Sequence, residues 1–467
     1  MLIAIACLIV FLVMALLMYT RRLSALLALP IMAILISLVG GIPATDILSQ
    51  VISNGALKLH NAYTTTMFGA MLAELVNKQG IAKSLIRWVA EFSGDNPFVL
   101  SALLTAITAL LFSTLGGLGA VIMVGTIVLP VMLSLGVPAI TSGCLFLFGI
   151  SLGGMFNLSN WQLYIDVLHI DRAQIAAFVL PFAGIVSMLV LIFLAVELRK
   201  LKNVSYILAA VIVMVTAFTV LYISPHTDSA HVPESVDLTS MIFIAVVFVL
   251  LIGYAMYRHF CRAVSIPGFS LLTPFVPLAL VLIFHWEIIP AFMAGMAYGV
   301  TTCWQRNSIN TLTRSILDGV ATVIPAVVLM IGIGMLLAAV MHPQVAEAIA
   351  PLLSQIVPTH GLAYILVFTV IAPLALYRGP LSLWGMGSGL VALVQKTTSL
   401  GSQAIMGMLM SVGQIQGVCD PTNTHNIWIA NYLGTDTQTL MTRTIPYVWL
   451  AVFLGLSLAA TLGYVPW

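Results

Sequence analysis

Apolar runs of bilayer length recur along this chain, separated by short polar or basic connections. They cover 2 to 19, 23 to 41, 61 to 77, 137 to 155, 174 to 197, 204 to 223, 238 to 257, 270 to 284, 288 to 303, 321 to 341, 402 to 418 and 445 to 465. Each approaches the roughly 20 residues that a helix needs to cross hydrocarbon, which predicts about twelve spans. Two further apolar stretches, 97 to 135 and 360 to 395, are interrupted at STLGGLG (113 to 119) and YRGPLS (377 to 382). Each is either two full spans or a re-entrant helical hairpin. Glycine and proline end helices and leave polar backbone that must face protein or a watery cavity, which favours the hairpin. Segments 44 to 58 and 81 to 93 (IAKSLIRWVAEFS) are amphipathic and shorter than a span, so they either lie along the interface or serve as connecting helices.

Composition agrees with an all-α polytopic membrane protein: 61% of the 467 residues are hydrophobic and 7% charged. A net charge of +2 is too small to suggest nucleic acid, and no basic tract suggests a polyanionic partner, so no nucleic-acid partner is expected. The cysteines Cys7, Cys144, Cys261, Cys303 and Cys419 stand singly, without ligand spacing, and read as packing residues. No metal or cofactor is expected beyond a coupling ion. The first 20 residues lack a basic leader and a cleavage site, so they read as a retained span. Arg21, Arg22, Lys78, Lys83, Arg87, Arg199, Lys200, Lys202, Arg258, Arg262, Arg306 and Arg314 all face the cytoplasm if both interrupted stretches are re-entrant and both termini lie outside. Arg172 and Lys396 are the exceptions, and the 224 to 237 loop falls outside. The expected location is the cell inner membrane.

The two halves repeat weakly. Ile52 and Gly55 recur as Ile316 and Gly319, and Met71-Leu72 as Met335-Leu336, each 264 residues on. Asn160 matches Asn423 at 263, and Pro181 matches Pro446 at 265. This near-constant offset superimposes the two interruptions and two polar knots, FNLSN (156 to 160) and DPTN (420 to 423). The expected organisation is a first inverted repeat over 1 to 203, with a hairpin near 97 to 135 and a broken helix near 156 to 161. A two-span linker over 204 to 263 follows, then a second repeat over 264 to 467, with a hairpin near 360 to 395 and a broken helix near 419 to 426. Inverted repeats with paired broken helices point to a secondary transporter.

Candidate chemistry gathers at these breaks. Half-helix N-termini present unpaired N–H groups and a positive dipole end to an anion. Ser113, Thr114, Gly116, Gly117, Gly119, Asn157, Ser159 and Asn160 would add hydroxyl, amide and close backbone approach in the first half. Arg378, with Gly379 and Ser382, lies in an otherwise apolar run, and a guanidinium holds a carboxylate in a bidentate fork; a snorkelling Arg is the plainer alternative. In GVCDPTNTHNIW (417 to 428), Asp420 and His425 are titratable. Thr422, Asn423 and Thr424 complete the set, and Asn160 and Asn423 could also coordinate sodium. His425 reads equally well as a hydrogen-bonded core histidine. Glu74 with Lys78 reads as a structural ion pair, and Asp166, His169 and Asp171 as a solvated loop. No HExxH, GxSxG or facing aspartate pair suggests an enzyme.

Three stretches resemble the ion transporter superfamily, and within it the gluconate permease type: ALLALPIMAILISLVGGIPATDILSQV (25 to 51), FGAMLAELVNKQGIAKSLI (68 to 86) and DPTNTHNIWIANYLGTDTQTLMTRTIPY (420 to 447). The resemblance implies re-entrant hairpins, a dimerising scaffold and an elevator-like transport domain. It also implies import of a small organic anion, a sugar acid such as gluconate or a carboxylate, with protons or sodium. At Pro421-Thr422-Asn423-Thr424 the chain departs toward the Ser-Asn-Thr signature of citrate and dicarboxylate carriers, which opens the substrate question. An antiporter on the same fold is the alternative reading.

Overall fold

A computed structural model describes residues 2–20, 22–93, 96–198, 238–261, 266–379, 381–384, 387, 391, 394–395 and 398–466. The predicted span 204 to 223 and the 224 to 237 loop lie outside them, as do Arg21, Arg199, Lys200, Lys202, Arg262, Lys396 and the Arg378 side chain. The described elements are helical. They are α1 (Leu2–Tyr19), α2 (Ala25–Val39), α3 (His60–Lys78), α4 (Ile81–Ser93), α5 (Pro97–Phe112), α6 (Gly117–Ser134), α7 (Ala139–Phe156), α8 (Leu158–Leu168) and α9 (Arg172–Leu198). After the linker come α10 (Leu238–Cys261), α11 (Val276–Leu282), α12 (Ile288–Thr302), α13 (Ser308–Met341), α14 (Pro343–Ile356), α15 (Gly361–Ile371), α16 (Ser402–Gln414), α17 (Thr424–Leu433) and α18 (Thr437–Thr461). A π-type turn, Ile47–Asn54, precedes α3, and 3-10 turns span Gly268–Phe275 and Ala372–Arg378.

Among the described residues, five helices are long and apolar enough to cross a membrane: α6, α7, α9, α13 and α18. Shorter apolar helices stand at several other predicted spans, including α2 and α12. The span expected at 321 to 341 is the second part of α13, whose 34 residues exceed the bilayer core in length. The first interrupted stretch is two helices, and α6, its second arm, has 18 residues. Length alone therefore does not make that arm re-entrant.

Helix starts follow local chemistry. Asn96 caps α5 by accepting the Phe98 N–H at 3.0 Å, with Pro97 at the first position, and Asp436 caps α18 through the Gln438 N–H at 3.2 Å. Asp166 departs from its expected solvated loop. It lies inside α8, where Oδ2 accepts the Ala62 N–H at 3.0 Å and Oδ1 accepts from Gln162 Nε2 at 2.9 Å. Its carboxylate thus caps the first turn of α3 from a distant segment, where the helix dipole favours negative charge. His169 and Asp171 are exposed, as expected.

The chain forms two compact units, each drawn from both sequence halves. The first comprises Met1–Thr64, Ser159–Ile185 and Ile324–Trp467, and the second Thr65–Leu158 and Val186–Val323. In the second unit α5 packs along α7. Thr105 and Thr108 bury their hydroxyls there by donating to the Ser101 and Leu104 carbonyls at 2.8 and 2.7 Å, so these two donors are satisfied within their own helix. Lys78 pairs with Glu74 at 3.7 Å and with Asp318, a partner 240 residues away. In the first unit Phe178 and Phe182 lie 5.3 Å apart in the core, and the buried Tyr364 hydroxyl donates to the Ala404 carbonyl at 2.7 Å.

Close approach recurs between the halves. A Cβ on Gly55 would sit 2.9 Å from the Met335 Cα in the first unit, and one on Gly319 would sit 2.7 Å from the Met71 Cα in the second. The offset of 264 residues carries Gly55 to Gly319 and Met71 to Met335, so the two contacts are exchanged by the repeat.

Candidate functional site

The first break lies in the second unit. α5 ends at Phe112, Gly116 is extended, and Gly117 opens α6 at φ +80°, a conformation that disfavours a side chain. Ser113 and Thr114 are buried and turn their hydroxyls back on α5, donating to the Leu110 carbonyl at 2.7 Å and the Leu111 carbonyl at 3.3 Å. Asn157, the residue after α7, closes the break from the other side. Its Nδ2 donates to the Phe112 carbonyl at 3.0 Å and the Leu115 carbonyl at 3.1 Å. One amide thus satisfies two carbonyls freed where α5 stops, which hydrocarbon cannot do. Ser159 and Asn160 follow in the first turn of α8, half-buried and within the first unit.

The second break lies in the first unit. α16 widens into the π-type turn Ile415–Cys419, the chain leaves helix at Asp420, and α17 begins at Thr424. The turn frees successive carbonyls, and side chains at the start of α17 reach back to them. Asn423 Nδ2 donates to the Gln416 carbonyl at 2.6 Å, His425 Nε2 to the Gly417 carbonyl at 3.1 Å and Asn426 Nδ2 to the Val418 carbonyl at 2.9 Å. His425 therefore has the bonds of the core histidine that the sequence allowed as its alternative. Asp420 is fully buried, and its Oδ1 accepts the Thr422 N–H at 2.8 Å and the Thr422 hydroxyl at 2.6 Å. This Asx-type turn holds the break in shape. Thr424 is exposed in the first turn of α17, whose N-cap Asn423 makes no side-chain cap.

The second interruption packs against this turn. Ala372–Arg378 ends with Tyr377 left-handed at φ +58°, and a Cβ on Gly379 would come 2.0 Å from the Leu374 carbonyl oxygen. Only glycine fits there. Ser382 is buried and donates from Oγ to Gln416 Oε1 at 2.6 Å, joining the segment after Arg378 to the π-type turn.

Sequence reasoning missed Gln416 and Asn426. Gln416 accepts from both Ser382 and Asn423, through its side chain and its backbone. Asn426 is 2% exposed, and its Oδ1 has no hydrogen-bond partner among the described residues. A polar residue in an otherwise apolar run, and an amide in the first turn after a break, are the signals that would have marked them.

The two breaks match in conformation. Asn157 stands at φ −70°, ψ 116° and Asp420 at φ −70°, ψ 111°, and they are separated by the 263 residues that also separate Asn160 from Asn423. The matched residues differ in sense: the amide donates to backbone carbonyls, whereas the acid accepts from its own turn.

This all-helical, broken-helix fold has a likeness among solved structures. The chain is similar to the YdaH transporter of Alcanivorax borkumensis, with a TM-score of 0.51 and 16% identity over 90% of this chain and 88% of that one. A looser likeness, TM-score 0.45 at 14% identity over 89% and 82% of the two chains, is to MtrF of Neisseria gonorrhoeae, one of a class of antimetabolite efflux pumps. No family model and no curated protein matches the sequence.

Proposed function

We propose that this chain is a secondary active transporter of the inner membrane. It imports a small organic anion, a sugar acid such as gluconate or a carboxylate, with protons or sodium by elevator-type alternating access. The observation that carries the reading is the pair of matched helix breaks, Asn157 and Asp420, within a transporter fold. Broken helices in corresponding positions of two halves mark solute sites in such carriers. The positive dipole end of α17, where the N-cap Asn423 makes no side-chain cap, favours an anion, Arg378 supplies a guanidinium for its carboxylate, and Asp420 is the titratable group for coupling. The substrate class rests on the resemblance of 25 to 51, 68 to 86 and 420 to 447 to the gluconate permease type. A homodimer with both termini outside completes the proposal.

Purified protein in proteoliposomes, offered labelled gluconate, citrate and succinate under separately imposed sodium and pH gradients, tests it. Accumulation of one anion that collapses with one gradient is the expected result. No anion accumulating under either gradient overturns it.

A further inference from the structure

α4 carries a surface that the transport reading does not use. Ile81, Ala82, Leu85, Ile86 and Val89 are buried, and the helix packs on α5, α6 and the 3-10 turn Gly268–Phe275, all within the second unit. Lys83, Arg87, Trp88, Glu91 and Phe92 are exposed. Trp88 is 58% exposed and Phe92 78%, and their rings stack at 6.0 Å with an 18° interplanar angle. Lys83, Arg87 and Glu91 have no side-chain partner among the described residues.

The order of these residues around the helix is informative. At about 100° per residue, Lys83, Arg87 and Glu91 occupy a charged edge about 80° wide, Trp88 lies between it and the buried arc, and Phe92, in the last turn, continues the near edge of that arc where the helix ends and is exposed there. Large aromatics with a polar edge beside them suit the boundary between headgroups and acyl chains. Two cations against one acid favour negative headgroups there. We infer that the outer face of α4 binds the bilayer interface and selects anionic phospholipid, with Lys83 and Arg87 on headgroup phosphates and the Trp88–Phe92 pair against the upper acyl chains.

The test uses the full chain in phosphatidylcholine vesicles containing brominated phosphatidylglycerol or, separately, brominated phosphatidylcholine. Bromine quenches nearby tryptophan, and the Trp88 signal is obtained by subtracting that of Trp88→Phe. The expected result is quenching by both lipids, stronger for phosphatidylglycerol, with a local preference of roughly fivefold per basic side chain. Lys83→Gln/Arg87→Gln should abolish the preference yet retain quenching by brominated phosphatidylcholine. Absence of quenching would mean that a protein surface covers the face. That result, equal quenching by the two lipids in the unaltered chain, or a preference that survives the double variant, would overturn the inference.

Discussion

Gly55 lies against the Met335 backbone so closely that a Cβ would approach its Cα to 2.9 Å, and the repeat returns the same contact as Gly319 against Met71 at 2.7 Å. Backbone cannot swing aside as the end of a side chain can. Gly55→Ala and Gly319→Ala should each lower stability by about 1 to 3 kcal/mol through overpacking. Gly413, in α16, has open space where its Cβ would go, so Gly413→Ala should instead gain about 0.5 to 1 kcal/mol from helix propensity. Unfolding midpoints of the three variants in detergent decide the point; equal behaviour of all three would remove the packing argument.

Asn157 offers a second handle. Asn157→Leu keeps much of the volume but strands the Phe112 and Leu115 carbonyls, at a cost of about 1 to 3 kcal/mol for each buried acceptor. Asn157→Asp should be worse, because a carboxylate would then face both carbonyl oxygens. A thermal-stability ranking of parent, Leu, then Asp is expected.

Asp420 separates coupling from binding. Asp420→Asn keeps the shape and the oxygen that accepts from Thr422, but removes the titratable group. Gradient-driven accumulation should fail while exchange of substrate across the membrane persists. Asp420→Ala also removes the Asx-type turn and should abolish both. Unchanged accumulation by the Asn variant, with the same dependence on pH, would move coupling elsewhere.

Arg378→Lys probes the guanidinium. A point ammonium loses the bidentate fork, and losing a charge-assisted hydrogen bond costs about 1.5 to 3 kcal/mol, or roughly ten- to a hundredfold in affinity. Concentration dependence of uptake measures it. Unaltered apparent affinity would leave Arg378 as a snorkelling residue.

At Asn426, Leu and Asp substitutions ask what its buried Oδ1 meets. Asn426→Leu removes the donor to the Val418 carbonyl and should destabilise the break by about 1 to 3 kcal/mol. Asn426→Asp should cost more, since it adds a buried charge facing that carbonyl. Differential scanning fluorimetry of the two variants gives the order.

The amino-acid sequence by itself determined the membrane class, most helix positions and the places where helices stop. In hydrocarbon every backbone group must be satisfied within its segment or by protein, so apolar length and the positions of Gly116, Gly117, Gly379 and Pro421 carry that information directly. The offset between halves was legible too, because Gly55 and Gly319 had to remain glycine for the same reason. Only the tertiary structure decided what the polar residues of the breaks do. Asn157, Asn423 and His425 reach carbonyls freed at the breaks, while Ser113 and Thr114 bond carbonyls within the last turn of α5. Asp166 looked like a solvated loop residue and instead caps α3, and Lys78 finds Asp318 far along the chain. Such partners are distant in sequence, and composition is silent about them. Only chain packing brings a particular amide to a particular orphaned carbonyl.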